Sequence, residues 1–455
     1  MTGTSFQQGI LMKLSEYGPV YIVGGAVRDA LLGIPSKDLD LVTVISLQEI
    51  RKLLSDGGYN PRVIGAKQQT LSLFQGTDRV DIVSFDGEIK LDALHRDFTL
   101  NALYQDVRAG EIIDPLNGLE DLRLRRLKAC GSAAERFNED PLRILRLVRL
   151  AILHNFTIEP ETWQAALDHV PDLKNVSLER VTVELGRILL LDEVAKALGL
   201  LNDLGYFQAY IPELARLKGL LQNQNSSMDA WEHTCQVVKN TPVNVLLRLA
   251  ALFHDLGTWK TAEGKQHFSE NETESVRLVQ EILPRFRWSM ILQGGSRGER
   301  ELLLLVGHHS LGTLTFKSDL EQDLLNSKVH KKAQRLAWKI GWDGQKYNPQ
   351  RVENLLYLWR ADFLAGNKST GEYLERFNQI QDEIRTINPV LIERTNSLDW
   401  RFFENFAHAK GLEGKRFGRL KEQIRSKAML DTDICLTDLK FLEKEYQLFW
   451  HNSDP

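Results

Sequence analysis

Residues 20–42 read Val20-Tyr-Ile-Val-Gly-Gly-Ala-Val-Arg-Asp-Ala-Leu-Leu-Gly-Ile-Pro-Ser-Lys-Asp-Leu-Asp-Leu-Val42. An apolar strand, Val20 to Val23, runs into Gly24-Gly25. A short helix carrying Arg28 and Asp29 follows, and Gly33 to Pro35 make a turn. A second strand then carries Asp38 and Asp40. Side chains alternate across a strand, so these two carboxylates share one face. Such a pair on a rigid face suits a divalent metal. A glycine pair opening a helix suits phosphate, through backbone N–H groups and the helix dipole. Phosphate and metal side by side are what phosphoryl or nucleotidyl transfer requires. Each feature alone reads as an ordinary turn or a solvated strand end; their order and close spacing favour the chemical reading.

The segments around this stretch set the fold class. Residues 39–44, 79–85 and 111–114 read as further strands, and residues 47–54 and 98–103 as helical. From about residue 134 onward apolar residues recur at three- and four-residue spacing, as in Leu142, Leu145, Leu147, Leu150 and Ile152. That period argues amphipathic helices. The expectation is an α+β protein with a small mixed head and a long helical body. Joints are placed near Gly131-Ser132, near Asp192 to Val194, at the polar stretch 222–227, and at 366–371. They give a head (1–130), a first helical segment (131–192), a helical body (193–370) and a helical tail (371–455).

The bulk properties narrow the class. The chain has 455 residues, 43% hydrophobic and 26% charged, as in ordinary globular proteins. No stretch approaches the roughly 20 apolar residues of a membrane span, and the N-terminus lacks the apolar core of a signal peptide. Cys130, Cys235 and Cys435 lie far apart and form no metal pattern. A reduced, cytoplasmic location follows. The net charge of −4 does not advertise nucleic-acid binding, but a local basic face is sufficient for it. Between Arg401 and Lys427 eight Lys or Arg face three acids. Residues 123–128 and 328–339 are also basic. Each is either a phosphate-contacting surface or a solvated helix face.

Several residues downstream are candidates for chemistry. Asp81, in the third strand, sits among apolar residues, where a lone carboxylate is costly unless paired or coordinating. It either completes the site of Asp38 and Asp40 or marks a strand edge. In the run 95–103, Asp97 offers an acceptor for a ribose hydroxyl, and Arg96 and Asn101 offer donors to phosphate; the plain alternative is a helix cap at Asp97 or Thr99. Residues 114–122 read as a turn that closes the head. Asp140 and Arg143 are three apart on an expected helix and so face the same way. A carboxylate and a guanidinium at fixed spacing match the Watson–Crick edge of a base, although an intrahelical salt bridge is the default. Arg143, Arg146 and Arg149 form a basic stripe beside the expected triphosphate.

Taken in order, the runs 24–29, 37–41, 96–102, 114–122, 139–143 and 177–185 resemble the class II tRNA nucleotidyltransferase and bacterial poly(A) polymerase family. The resemblance implies a polymerase-β-like head followed by helical neck, body and tail. It implies two Mg²⁺ ions held by Asp38 and Asp40, triphosphate contacts at Gly24, Gly25 and Arg28, and a ribose contact at Asp97. It implies that Asp140 and Arg143 read the incoming base without a nucleic-acid template. The partners implied are the tRNA acceptor arm and CTP, with ATP if the full CCA end is made. One departure bears on the product. CCA-adding members carry a long flexible loop before the Arg-Arg-Asp motif, whereas here only residues 86–95 lie between Phe85 and Arg96. The chain therefore resembles the CC-adding subgroup, which needs a separate A-adding partner. His95 also replaces the first arginine of the usual pair.

Within the body, His233, His254-Asp255 and Asp362 follow the order of the HD phosphohydrolase ligands, a set suited to a divalent metal. The usual Lys is Thr258 and a usual His falls near Asn271, so this is either a metal site or a scaffold that kept its ligands. His308-His309 either joins it or caps an exposed helix end. The remaining alternatives are a full CCA-adding enzyme, a poly(A) polymerase, and a non-catalytic RNA-binding or HD phosphohydrolase protein.

Overall fold

The computed structural model describes residues 4–36, 38–64, 70–221, 228–258, 268–309, 340–341, 346–366, 371–386, 400–428, 436 and 438–451. The basic run 328–339, the joint 222–227 and Cys435 lie outside them. The chain divides into two compact units, residues 1–215 with 285–291, and residues 216–284 with 292–455. Among the described residues no helix is long and apolar enough to cross a membrane.

The first unit opens with α1 (Ser5–Ser15), closed at its N-terminus by a capping box between Thr4 and Gln7. Then come β1 (Val20–Val23), α2 (Gly25–Leu31), β2 (Asp38–Thr43), α3 (Leu47–Asp56), β3 (Arg62–Ile64), β4 (Thr70–Gln75) and β5 (Asp78–Ser84). Next are α4 (Ile89–Leu94), β6 (Tyr104–Asp106), β7 (Ile112–Ile113), α5 (Gly118–Arg123) and β8 (Arg126–Leu127). The seven-stranded sheet has the order β3-β4-β5-β2-β1-β6-β7. Only the β2–β5 pair is parallel; the others in this sheet are antiparallel. Strand β2 alternates exposed Asp38, buried Leu39, exposed Asp40 and buried Leu41. Its apolar side chains join Val20, Ile22, Val80 and Ile82 in the core beneath α1 and α3, which leaves the carboxylates outside.

Several elements differ from the sequence reading. Residues 98–103 contain a single 3₁₀ turn, Thr99–Asn101, before β6 rather than a helix. The Asp114 carboxylate accepts the Gly118 and Leu119 N–H groups at the start of α5, and the Thr99 hydroxyl donates to Asp121 of α5 at 2.7 Å, which ties that helix to the turn. A Cβ on Gly118 would lie 2.2 Å from the Thr99 carbonyl oxygen, so only glycine allows this approach. Strands β3 and β4 have no counterpart in the sequence reading, and a short β9 (Thr157–Ile158) pairs with β8 beyond the point where strands were expected to end.

Helices α6 (Ala133–Glu139), α7 (Arg143–Leu153), α8 (Pro160–His169) and α9 (Leu178–Leu189) follow. Pro141 disfavours helical backbone at Asp140, so α6 stops there with Asp140 extended, φ −147° and ψ 94°. Asp140 and Arg143 are therefore not on one helix: the first is the cap of α6 and the second opens α7. On α7, Ile144, Leu145, Leu147, Val148, Leu150 and Ala151 are buried, and Arg143, Arg146 and Arg149 line the other side.

The second unit is helical where described. Helices Ala230–Asn240, Val245–Phe253, Ser296–Gly307 and Pro349–Gly366 pack together. Near the C-terminus Trp400–Ala409, Gly414–Ala428 and Leu439–His451 bury Phe403, Phe406, Leu420, Ile424 and Leu442 between them.

Candidate functional site

Gly24 caps α2 with φ +76° and ψ −137°, a conformation that glycine alone adopts readily. A Cβ there would sit 3.5 Å from the Asp40 carboxylate and 3.8 Å from the Arg96 guanidinium. Both are ordinary contact distances, so the positive φ rather than crowding asks for glycine, and the turn lies between a carboxylate and a guanidinium. In the parallel register Asp40 faces Asp81 and Asp38 faces Arg79. Although Asp40 is solvent-exposed, desolvation by the strands and turn around its carboxyl, and then the charges of Asp81 and Asp38, raise it above its usual range, against the opposing pull of Arg96 and Arg79. Asp81 is tethered: its Oδ1 accepts the Ser72 hydroxyl at 2.6 Å and Arg79 Nε at 2.9 Å, and its Oδ2 pairs with Arg79 at 2.6 Å.

Arg28 is 7% exposed. It donates to Asp29 at 2.7 and 2.8 Å and to the Asn101 Oδ1 at 2.6 Å. Asn101 in turn donates to Asp97 Oδ1 at 2.9 Å, and Asp97 Oδ2 pairs with Arg146 at 2.5 Å. The run Arg28–Asn101–Asp97–Arg146 is one buried network linking α2, the 3₁₀ turn and α7. Burial pushes the Asp97 carboxyl up, but Arg146, Asn101 and the Phe98 N–H together hold it below the usual range. The turn Thr99–Asn101 is capped by Phe98 without a side-chain bond, so the helix-cap reading does not hold; Asp97 accepts the Phe98 N–H and orients an arginine on another helix.

Arg96 is held by Asp92 at 2.9 Å and by the Tyr104 hydroxyl at 3.0 Å; Tyr104 donates to Asp92 at 2.5 Å. Asp92 lies on α4, so the short connection 86–95 is an ordered helix whose side chain fixes Arg96. Its last residue, His95, accepts from Arg143 through its backbone carbonyl at 2.6 Å. The sequence reading assigned no part to Asp92, Tyr104, Arg149 with Glu184, or Arg180. Glu184, 2% exposed, bonds Arg149 and Arg187, and Arg180 forks onto Asp140. Glu184 and Arg180 lie in the quoted run 177–185, which was the available signal.

The intrahelical salt bridge that was the alternative reading of Asp140 and Arg143 does not form. Asp140 pairs with Arg180 and Arg143 with Glu139 at 3.1 Å. Three of the four cations in the run 123–128 are also matched internally, by Arg123–Glu120, Arg126–Asp121 and Lys128–Glu159. In the tail cluster Lys410, Lys421 and Lys427 pair with Glu443, Glu404 and Glu445. Two of those acids lie beyond the window in which the charge imbalance was counted. Lys421 and Arg425 lie over the Trp400 ring at 5.6 and 4.8 Å.

The second unit gathers its own cluster. The ligand atoms of His233, His254 and Asp362 all lie within 4.8 Å of one another. His233 Nε2 is 2.9 Å from Asp362, and His254 Nε2 is 3.3 Å from Asp255. His309 joins them, 3.2 Å from Asp255, which Asn271 also holds at 3.1 Å. Burial pulls the imidazoles down, but Asp362 holds His233, and Asp255 holds His254 and His309, above the usual range.

Two family models match the first unit. One, described as the poly A polymerase head domain, covers residues 20–88 and 75–128. The other, described as a probable RNA- and SrmB-binding site of polymerase A, covers residues 155–218. A CCA-adding enzyme of Lactococcus lactis subsp. cremoris is 36% identical over 266 residues, 53% of this chain and 66% of that relative. The chain thus spans just under two thirds of the length of such relatives. The fold is that of a Bacillus stearothermophilus CCA-adding enzyme in complex with CTP, with TM-score 0.57, 21% identity, and 99% of this chain and 100% of the other covered. A Thermotoga maritima CCA-adding enzyme complexed with tRNA matches with TM-score 0.53 and 21% identity over 98% and 96%.

Proposed function

The chain belongs to the class II tRNA nucleotidyltransferase family, and we propose that it adds cytidines from CTP to the 3′ end of tRNA without a nucleic-acid template. The observation that carries this is the face of β2. Asp38 and Asp40 stand exposed beside the Gly24 turn, with Asp81 in register and Arg96 opposite. Hard carboxylate oxygens crowded on one face fit Mg²⁺. Asp38 and Asp40 would hold that cation, which would polarise the triphosphate and lower the pKa of the tRNA 3′-hydroxyl. Arg28 and Arg96 bind and orient the triphosphate from either side of Gly24. Asp81, tethered by Ser72 and Arg79, maintains the negative charge beside Asp40. Asn101 and Asp97 hold Arg28 and Arg146 in place, and Asp97 is also the acceptor assigned to the ribose hydroxyl. In this reading residues 1–130 are the head, 131–192 the neck, 193–370 the body and 371–455 a tail that contacts the tRNA acceptor arm.

The product is tRNA ending in CC, and an A-adding enzyme completes it. What supports this is the connection 86–95. It is filled by α4, with Asp92 on Arg96 and the His95 carbonyl on Arg143, so no long loop is available to re-aim Arg143 for adenine. Purified protein incubated with tRNA lacking its CCA end, plus CTP and ATP, is expected to extend the RNA by two cytidines and to incorporate no AMP. A product ending in CCA refutes the CC-only reading, and no CTP incorporation refutes the enzyme.

A second reading concerns the body. We infer that His233, His254, Asp255 and Asp362, with His309, bind a divalent metal as in HD phosphohydrolases, because two imidazoles and a carboxylate converge within 4.8 Å. Purified protein is expected to retain about one equivalent of transition metal at this site, and His254→Ala to lose it with CTP incorporation unchanged. Equal metal content in both proteins would remove the assignment.

A further inference from the structure

We propose that Phe74 and Arg79 form a shelf that receives the last nucleotide of the RNA to be extended, Phe74 stacking on its base and Arg79 meeting its phosphate; this rests on the transferase reading of the site. Strand register places the shelf. Cross-strand partners point to one face of a sheet, as do residues two apart on a strand. Asp40 pairs with Asp81 and Asp81 with Ser72; Asp38 pairs with Arg79 and Arg79 with Phe74. Asp38, Arg79 and Phe74 therefore make a row beside that of Asp40, Asp81 and Ser72. Leu71, Leu73, Val80 and Ile82 fill the opposite face. The carboxylate face is covered farther along, where Val42 and Val83 pack with Ala93 and Cys130. Its other end is open: Phe74 is 52% exposed and the Arg79 side chain 43%.

A singly exposed aromatic is ordinary; the partner and the place of this one give it a ligand. Arg79 lies over the Phe74 ring at 5.6 Å and turns Nε and Nη2 to Asp81. A guanidinium has more donors than those, and the rest can meet a phosphate oxygen. Gly24 and Arg96 approach Asp40 from the β1 side, so the incoming triphosphate takes that side and the acceptor the side of β5 and β4. Adjacent strands lie about 4.8 Å apart, which puts Phe74 about 10 Å across the sheet from Asp38. One nucleotide spans that gap, with its 3′-hydroxyl at the carboxylates and its base on the ring. Arg62, exposed on β3 and paired with Ser72, continues the positive charge toward the sheet edge. Stacking accepts any base, because each has a π-face. That suits an acceptor whose last base changes as cytidine is added.

The test places 2-aminopurine as the last nucleotide of a tRNA lacking its CCA end and follows its fluorescence on binding, with no CTP present. Wild type is expected to quench the probe by stacking, Phe74→Ala to lose most of the quench, and Phe74→Trp to keep it. In transfer assays with unlabelled RNA, kcat/KM for tRNA should fall about tenfold in Phe74→Ala, the loss of one stacked base, with KM for CTP unchanged. Arg79→Gln should lower the slope of log tRNA affinity against log salt by about one, the loss of one phosphate contact; it also carries the test if the alanine variant does not fold. No quench in wild type overturns the shelf, as does an equal quench in Phe74→Ala. An equal loss for CTP or an unchanged salt slope in Arg79→Gln also overturns it. Wild type that quenches the probe but transfers no cytidine instead overturns the reading of the site.

Discussion

Replacing Asp40 by Asn is expected to lower CTP incorporation at least about a thousandfold while leaving the fold as stable as before or more so. The two halves of that outcome have one cause. The Asp40 carboxyl is raised by desolvation and by Asp81 and Asp38. An acid whose pKa is higher in the folded state destabilises that state once it ionises, and the loss is relieved as pH falls through the folded value. Amide in place of carboxylate removes the repulsion and the metal ligand together, as at a site where stability is exchanged for chemistry. Asp38→Ala should behave alike in the transfer assay, because Asp38 is exposed and packs no core. Filter binding of tRNA should be unchanged in both variants, since neither residue lies in the helical neck, body or tail. Full activity in either would sink the metal assignment.

Asp97→Ala is expected to cost about 1–3 kcal/mol of stability, measured by urea unfolding. Asp97 is 8% exposed and is the counter-charge for Arg146, so its loss leaves a half-buried guanidinium and the Asn101 amide without a partner. The sign with pH is opposite to that of Asp40. The Asp97 pKa is lowered by Arg146, Asn101 and the Phe98 N–H in spite of burial. Its stabilisation is therefore complete above the ordinary carboxylate range and is lost as pH falls toward the lowered folded value. Asp97→Asn should flatten that acid limb of the stability profile. An unchanged limb would mean that other carboxylates produce it. Transfer should also fall in both variants, because Arg28 and Arg146 lose the link that aligns them.

The structure assigns several charged residues to roles that their counts alone did not suggest. Residues 401–427 carry eight cations against three acids, yet Glu443 and Glu445 arrive from the last helix to pair with Lys410 and Lys427. Three of the four cations in 123–128 are paired with Glu120, Asp121 and Glu159. Paired surface charges of this kind contribute little to stability, but they reduce the field available to a phosphate backbone. The arginine stripe of α7 is different. Arg146 and Arg149 are each held by a buried carboxylate, Asp97 and Glu184, so their positions are set from beneath.

Local patterning was sufficient to determine much of this protein from its sequence. Alternation in β2 put Asp38 and Asp40 on one face, the glycine pair fixed a turn that other residues resist, and the helical period separated head from body. These are short-range effects, in which steric limits and a two- or 3.6-residue period act within a few residues. Tertiary structure alone decided the pairings. Asp140 was expected to face Arg143 along a helix, but Pro141 breaks the helix and Arg180, forty residues away, takes the carboxylate. Asp97 met Arg146, Asp92 met Arg96 and Tyr104, and His309 met Asp255 for the same reason. A buried charge is stable only with a partner, and which partner reaches it depends on how the elements pack, which no local period encodes.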